Sequence, residues 1–425
     1  MTDDLTWLEP ALTAARPRAL AALLRYFRDL DTAEEAFQEA CLRALRTWPQ
    51  NGPPRDPAAW LILVGRNVAL DAARKTKRLT ALPGEDALSD VDDAETPLAE
   101  RLDEAHYRDD MLRLMFVCCH PDLPATQQVA LALRLIAGLT VPQIARAFLV
   151  SEAAMEQRIT RGKARVAAAG VPFETPGAPE RAERLAAVAA VLYLVFNEGY
   201  TARDDARAHL ADEAIRLGRL LLRLFPSEPE VMGLVALMLL QHSRAAARLD
   251  DAGDIVLLDD QDRARWDQAL IGEGLALLDK AIRHRQRGPY QVQAAIAALH
   301  ARARRPEDTD WAQIALLYGA LEALTPSPVI TLNRAVAVAK TEGAEAALAL
   351  VEPLAERLSG YFHFHGLRGG LLLELGRDGE AAVSFDRAIA LANSAAEAAH
   401  IRGQLDRVRA RSAAARAQAS AGDRS

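Results

Sequence analysis

Cysteine is scarce in this chain, aromatic residues are few, and basic residues do not outnumber acidic ones. Three cysteines in 425 residues exclude a disulfide framework, and Cys41, Cys118 and Cys119 lack zinc-ligand spacing. Adjacent cysteines cannot readily chelate one tetrahedral metal, so Cys118-Cys119-His120 reads as small buried residues at a helix end, and no metal or cofactor is expected. Aromatics at 5%, set against abundant alanine, leucine and arginine, exclude a sheet protein and point to an all-α chain. The longest apolar run, Leu185–Phe196, is too short to span a bilayer, and the N-terminus lacks a basic-then-apolar signal pattern. A cytoplasmic location with no membrane partner is expected. A net charge of −7 is not that of a chain-wide nucleic-acid binder, so DNA affinity would have to come from local patches.

Two such patches exist. The helix expected from Pro57 to Arg78 carries Arg66, Arg74, Lys75, Lys77 and Arg78 against Asp71. Along it Trp60, Val64, Asn67, Asp71, Arg74 and Arg78 share one side, an aromatic, amide and arginine set that can stack on an unpaired base and hold phosphate. The second patch closes Gly138–Val166, which reads as two short helices and a tight turn. Ser151 is placed as N-cap. Met155, Ile159, Gly162 and Val166 repeat at helical spacing as a buried face, while Ala154, Arg158, Arg161 and Arg165 form a neighbouring face, small at first and basic later. Such a helix suits the major groove, with base edges at its N-terminal end and phosphate beside its arginines.

Ahead of these patches, Leu20, Leu23, Leu24 and Phe27 stripe one helix. Thr32–Glu35 reads as a capping box opening a second, with Phe37, Cys41, Ala44 and Leu45 inside and Glu34, Glu35, Gln38, Glu39 and Arg43 outside. Trp48–Asp56 reads as a proline- and glycine-rich loop. Leu79–Glu104 holds nine acids and one base and reads as an acidic tether.

Residues 16–166 resemble an RNA polymerase sigma factor of the sigma-70 superfamily, extracytoplasmic-function group. The resemblance rests on TAEEAFQEACLRAL from Thr32, PAAWLILVGRNVALDAARK from Pro57, and PATQQVALALRLIAGLTVPQIARAFLVSEAAMEQRITRGKARV from Pro124, in that order. It implies a factor that binds core RNA polymerase at its β′ clamp and β flap and directs promoter recognition and melting, with no catalysis of its own. Glu34, Glu35, Gln38, Glu39 and Arg43 would face the clamp. Trp48 and its loop, Trp60, Arg66, Asn67, Arg74, Lys75 and Arg78 would bind the −10 element. Ser151, Glu152, Ala154, Gln157, Arg158, Arg161, Lys163 and Arg165 would read the −35 element. Leu149 departs from the family, whose turn has glycine there, because leucine does not readily adopt positive φ.

Residues 181–425 exceed a minimal factor of this group. Helices are expected at Arg181–Phe196, Asp205–Phe225, Pro229–Ser243, Asp262–Arg285, Tyr290–Arg304 and Asp310–Leu324. Ala344-EAALALVEPL and Gly379-EAAVSFDRAIAL then repeat about 35 residues apart, a period similar to tetratricopeptide repeats. The expected layout is 1–80 promoter-melting module, 81–106 linker, 107–170 helix-turn-helix module, 181–415 helix-pair extension and 416–425 disordered tail. By resemblance the extension contacts and controls the sigma modules, or binds a regulatory protein. Asn197–Tyr200, Asp259–Arg263 and Gly288–Gln291 are candidate signature segments of such an extension, and their simpler readings are a loop, a helix N-cap and a helix start. The aspartates from Asp250 lack calcium-loop spacing, and His363 and His365 read as packing or surface residues. The competing reading is a tetratricopeptide adaptor whose helix-turn-helix binds DNA without acting as a sigma factor. A hidden enzyme finds no nucleophile–base pair or phosphate loop to support it.

Overall fold

The structure is a computed structural model, and it describes residues 7–78, 104–120, 122–148, 150–168, 178–201, 205–250, 256–392, 398–399 and 401–409. The elements among the described residues are all helical, and none is long and apolar enough to cross a membrane. The chain divides into two compact units, one ending at Leu224 and the other starting at Phe225.

In the first unit, α1 (Leu8–Phe27), α2 (Leu30–Asn51) and α3 (Pro57–Arg78) pack on one another. Leu20, Leu23, Leu24, Phe37 and Leu61 fill the space between them. The expected capping box at Thr32 is not what opens α2. Asp29 is the N-cap, and its carboxylate accepts from the Thr32 backbone N–H at 2.8 Å and from the Thr32 hydroxyl at 2.6 Å. An aspartate three residues earlier outcompetes the threonine because its charged oxygen is the stronger acceptor for the helix's unpaired N–H groups. The α2 helix also runs past Trp48 and Pro49 to Asn51, so the expected loop shrinks to the residues from Gly52, at φ 79°, to Asp56.

The second module comprises α4 (Glu104–Cys118), α5 (Ala125–Leu131), a π-helical turn (Ala132–Ala137), α6 (Val141–Ala147) and α7 (Glu152–Ala168). A reciprocal capping box does occur here, between Thr140 and Gln143 at the start of α6. Ser151 caps α7 as expected, its hydroxyl accepting from Ala154 N–H at 3.2 Å. Met155, Ile159, Gly162 and Val166 are the four buried residues of α7. Cys118 and Cys119 are buried at the end of α4, and burial pushes the Cys119 thiol up to about 12.

Two further helices, α8 (Ala178–Tyr200) and α9 (Asp205–Leu224), complete this unit, with α8 lying on α4 and α5 and α9 on α6. The compact boundary therefore falls after Leu224, where the sequence placed a hinge near 170–180. Asn197–Tyr200 is the last turn of α8 and not a loop. Phe196 and Tyr200 stack at 5.4 Å, and a Cβ on Gly199 would lie 2.2 Å from the Ala211 backbone nitrogen of α9. Since backbone cannot step aside as a flexible side chain would, Gly199→Ala is expected to cost about 1–3 kcal/mol by overpacking. Urea denaturation of the full chain checks this, and an unchanged midpoint would refute it.

The second unit runs α10 (Pro229–His242), α11 (Gln268–Arg283), α12 (Pro289–Arg302), α13 (Trp311–Leu324), α14 (Pro328–Glu342), α15 (Ala344–Val351), α16 (Phe362–Glu374), α17 (Asp378–Leu391) and α18 (401–409). From α10 to α17 each helix packs on the next, the serial contact of a helical solenoid. The two repeats are α14–α15 and α16–α17, and their turns carry Gly343 at φ 93° and Gly376 at φ 72°. Asp267, not Asp262, caps α11, accepting from Ala269 and Leu270 N–H. Asp262 caps a single turn, Arg263–Arg265, and Arg263 bonds the carbonyls of His300 and Ala303 at the end of α12. Gly288-Pro289-Tyr290-Gln291 starts α12 as expected, and Glu230 of α10 accepts from the Tyr290 and Gln291 N–H groups. His365 Nε2 lies 2.9 Å from the Ser359 carbonyl oxygen, and the His363 ring meets Tyr361 edge-on. The tail 416–425, most of the acidic tether and most of 169–180 lie outside the described residues.

Candidate nucleic-acid interface

The outer face of α7 is open. Ser151, Glu152, Ala154, Gln157, Arg161 and Arg165 are exposed, in front of the buried Met155–Val166 stripe. Two residues assigned to the same face behave differently. Arg158 is half-buried and lines a cavity of about 240 Å³ with Phe148 and Met155 on one side and Leu194 and Glu198 of α8 on the other. Lys163 turns to the opposite flank, where its ammonium meets Asp31 at 2.7 Å and Glu34 at 2.8 Å, both on α2. Leu149 lies outside the described residues. On either side of it Phe148 N–H bonds Ile144 at 3.1 Å and Val150 N–H bonds Ala145 at 3.1 Å.

Glu34 is the main correction to the sequence reading. Expected on the outer face of α2, it is only 5% exposed. Its carboxylate receives Lys163, Arg134 at 2.9 Å and Arg16 at 3.6 Å. Arg16 also reaches the Arg134 carbonyl at 3.1 Å. Burial alone would raise the Glu34 carboxyl, but the Lys163 hydrogen bond and the Arg134 and Arg16 charges hold it below the ordinary carboxylate range. Burial likewise opposes the Lys163 ammonium, and Asp31 and Glu34 outweigh it, so Lys163 holds its proton more tightly than a free lysine. A second link joins Arg25 of α1 to Asp110 of α4 at 3.4 Å, with Asp110 buried. The two modules are thereby fastened to each other.

The rest of the outer α2 face matches expectation. Glu35, Gln38 and Arg43 are exposed and Glu39 is half-buried, with Arg43 3.9 Å from Glu39. Leu45, expected inside, is 48% exposed beside Leu42 at 49%. The helix turns its apolar stripe toward α1 and α3, leaving these leucines among the charges as an unpredicted apolar spot on that face.

On the −10 side, Trp48 is buried within α2, its ring 5.4 Å from that of half-buried Trp60 in an edge-on contact. The Trp48 indole N–H has no hydrogen-bond partner among the described residues. Arg66 lies over the Tyr26 ring at 4.3 Å, which fixes the guanidinium against α1. Asn67 is exposed one residue on. Arg74, Lys75 and Arg78 fall in the last turns of α3, and their side chains lie outside the described part. Arg16, Asp31, Asp110 and Arg134 were missed by sequence reasoning, since pairs this far apart in the chain leave no periodic signature.

Comparison with known proteins bears directly on these faces. Residues 12–79 match the model of sigma-70 region 2, residues 113–166 match sigma-70 region 4, and residues 184–282 match a family of unknown function, DUF6596. An uncharacterised protein of Rhizobium meliloti (strain 1021) is 70% identical over 410 residues, covering 96% of this chain and 97% of its own. The crystal structure of yeast Tom70 covers 95% of this chain and 85% of its own at 14% identity, with a TM-score of 0.36, too slight a likeness to carry an argument. Regions 2 and 4 on one polypeptide, in that order and followed by a helical extension, make this chain a sigma-70 family member of the extracytoplasmic-function type, a promoter-recognition factor that binds core RNA polymerase and promoter DNA.

Proposed function

We propose that the factor grips promoters at two points. The exposed N-terminal turns of α7, from Ser151 through Gln157, read the −35 element, with Arg161 and Arg165 on phosphate. Trp60, Arg66, Asn67, Arg74, Lys75 and Arg78 receive the −10 element, with buried Trp48 backing Trp60 and not itself reaching DNA. Contacts to an extruded base and separated strand offset unstacking, which costs on the order of a few kcal/mol. Glu35, Gln38, Glu39 and Arg43 of α2 dock on the β′ clamp, and region 4 meets the β flap. The observation that carries this reading is the open face of α7, backed by a fully buried apolar stripe.

The described arrangement is a closed form of the factor. Glu34 and Lys163, one from each proposed contact surface, are spent on each other. Polymerase and DNA then compete with the Glu34 cluster for these side chains. The extension takes part through α8, whose Leu194 and Glu198 share a cavity wall with Arg158. Control by the extension thus acts on the position of α7.

Run-off transcription with core polymerase tests the function. The full chain, or a chain ending at Leu224, is expected to give a promoter-dependent transcript, and absence of any transcript from both would sink the reading. Arg161→Ala and Arg165→Ala are each expected to weaken promoter binding similarly across sequences and to lower the salt slope by about one. Fluorescence anisotropy over a salt series reads this out.

A further inference from the structure

The second unit contains a cavity of about 760 Å³ between α14, α16 and α18, with Tyr361, Phe362 and Leu257 at its edge. Its walls are apolar, built from residues such as Leu332, Val336, Leu367 and Ile401, with the amides of Asn333 and Gln404 set among them. Size and lining are those of small-molecule sites, which run to roughly 300–1,000 Å³ with a few placed polar groups.

Three glycines of α16 separate the needs of the fold from the room in the cavity. Gly369 faces away from it and packs on Phe385, where a Cβ would lie 2.6 Å from the ring, so a close helix contact explains it. Gly366 and Gly370 line the cavity one turn apart. A Cβ on Gly366 would meet only the Ile401 side chain at 3.5 Å, and one on Gly370 would meet nothing within 4 Å. Glycine weakens a helix interior relative to alanine, and at Gly370 no packing among the described residues compensates. The space is left for something else.

The charge of the lining selects the occupant. Among the described residues no lysine or arginine lines the cavity. His363 stands near the Tyr361–Phe362 end, and the one carboxylate is Glu374, exposed a turn beyond Gly370 on the same side of α16. We propose that this cavity binds a largely apolar small molecule carrying one amine, with the apolar body over Gly366 and Gly370 and the ammonium at Glu374. A hydrophobic anion beside Gly370 would meet the Glu374 carboxylate with no lysine or arginine among the described lining residues to offset it, and a neutral molecule would leave the carboxylate unused.

Dansylcadaverine and dansylglycine present one fluorophore with opposite charges, and both can be titrated into the full chain. Dansylcadaverine is expected to bind one to one with blue-shifted emission and a Kd of roughly 10 µM. Dansylglycine is expected to bind about threefold to fivefold more weakly, and Glu374→Gln should erase that preference. Gly370→Leu is expected to abolish binding of both with an unchanged thermal melt. Should that variant fail to fold, Val336→Phe fills the same space from the opposite wall. Absence of dansylcadaverine binding, undiminished binding in a folded Gly370→Leu or Val336→Phe protein, or an intact preference in Glu374→Gln would each overturn the proposal. So would a dansyl-labelled leucine-alanine helical peptide binding where dansylcadaverine does not, which would assign the cavity to a protein segment.

Discussion

Glu34→Ala is expected to destabilise the first unit by about 3–5 kcal/mol, the cost of breaking a buried ionic cluster from one side. The carboxylate is 6% exposed, and the side chains around it, Arg16, Arg134 and Lys163, are 12%, 20% and 17% exposed. Removing the one anion they share leaves three cations close together with little water to screen them. Asp31 cannot replace it, because its side chain is 67% exposed and solvent screens its pair with Lys163. A double-mutant cycle between Glu34 and Lys163 is therefore expected to show a coupling well above that between Asp31 and Lys163, as read by urea denaturation. Equal couplings would refute a buried latch. Lys163→Met removes a charge and supplies apolar volume, so it should cost less than Glu34→Ala.

The same cluster sets a pH window. Glu34 has its folded pKa lowered, so its contribution is fully present above the unfolded value of about 4.3 and is lost as pH falls through the folded value. Lys163 has its folded pKa raised, so its contribution is fully present below the unfolded value of about 10.4 and is lost as pH rises through the folded value. Both are intact between about pH 5 and 10. Contact between the modules is thus expected to respond to a binding partner and not to ordinary changes of pH.

Local features of this fold were legible in the sequence and long-range ones were not. The stripe from Met155 to Val166, the Ser151 cap and the start of α12 at Pro289 follow from periodicity and turn chemistry, which act within a few residues. Glu34 could not be placed the same way. On the helix it belongs with Glu35 and Gln38, and only Arg134 and Lys163, 100 and 129 positions away, decide that it turns inward. Trp48 was misplaced for a related reason. Pro49 ordinarily marks the end of a helix, yet here it sits inside the last turns of α2 while Trp48 packs on Trp60. Tertiary packing overrode the local signal in both cases. The compact unit runs past the boundary expected near residue 170, to Leu224, because composition marks where a chain is polar and proline-rich, not which helices cover which faces.

Cutting the chain at residue 170 is expected to be far more damaging than cutting it at residue 224. A chain ending at residue 170 contains both matched sigma regions but loses α8 and α9, which pack on α4, α5 and α6. The Arg184 guanidinium lies over the Phe116 ring at 5.9 Å, and Leu194 closes a cavity floored by Val129, Ala130 and Met155. Each large apolar side chain so uncovered costs about 1.5–3 kcal/mol, and in a unit of this size 1 kcal/mol shifts the melting temperature by about 2–4 °C. Two such side chains predict a melt lower by roughly 10 °C than that of residues 1–224, together with loss of the run-off transcript, because α5 and α6, which hold α7 in place, would lose the cover of α8 and α9. Thermal melts and transcription of the two truncated chains, run side by side, check this. If residues 1–170 melted and transcribed like residues 1–224, α8 and α9 would be a mere appendage. If the expected difference is found, the first two helices of the extension are part of the DNA-reading module itself.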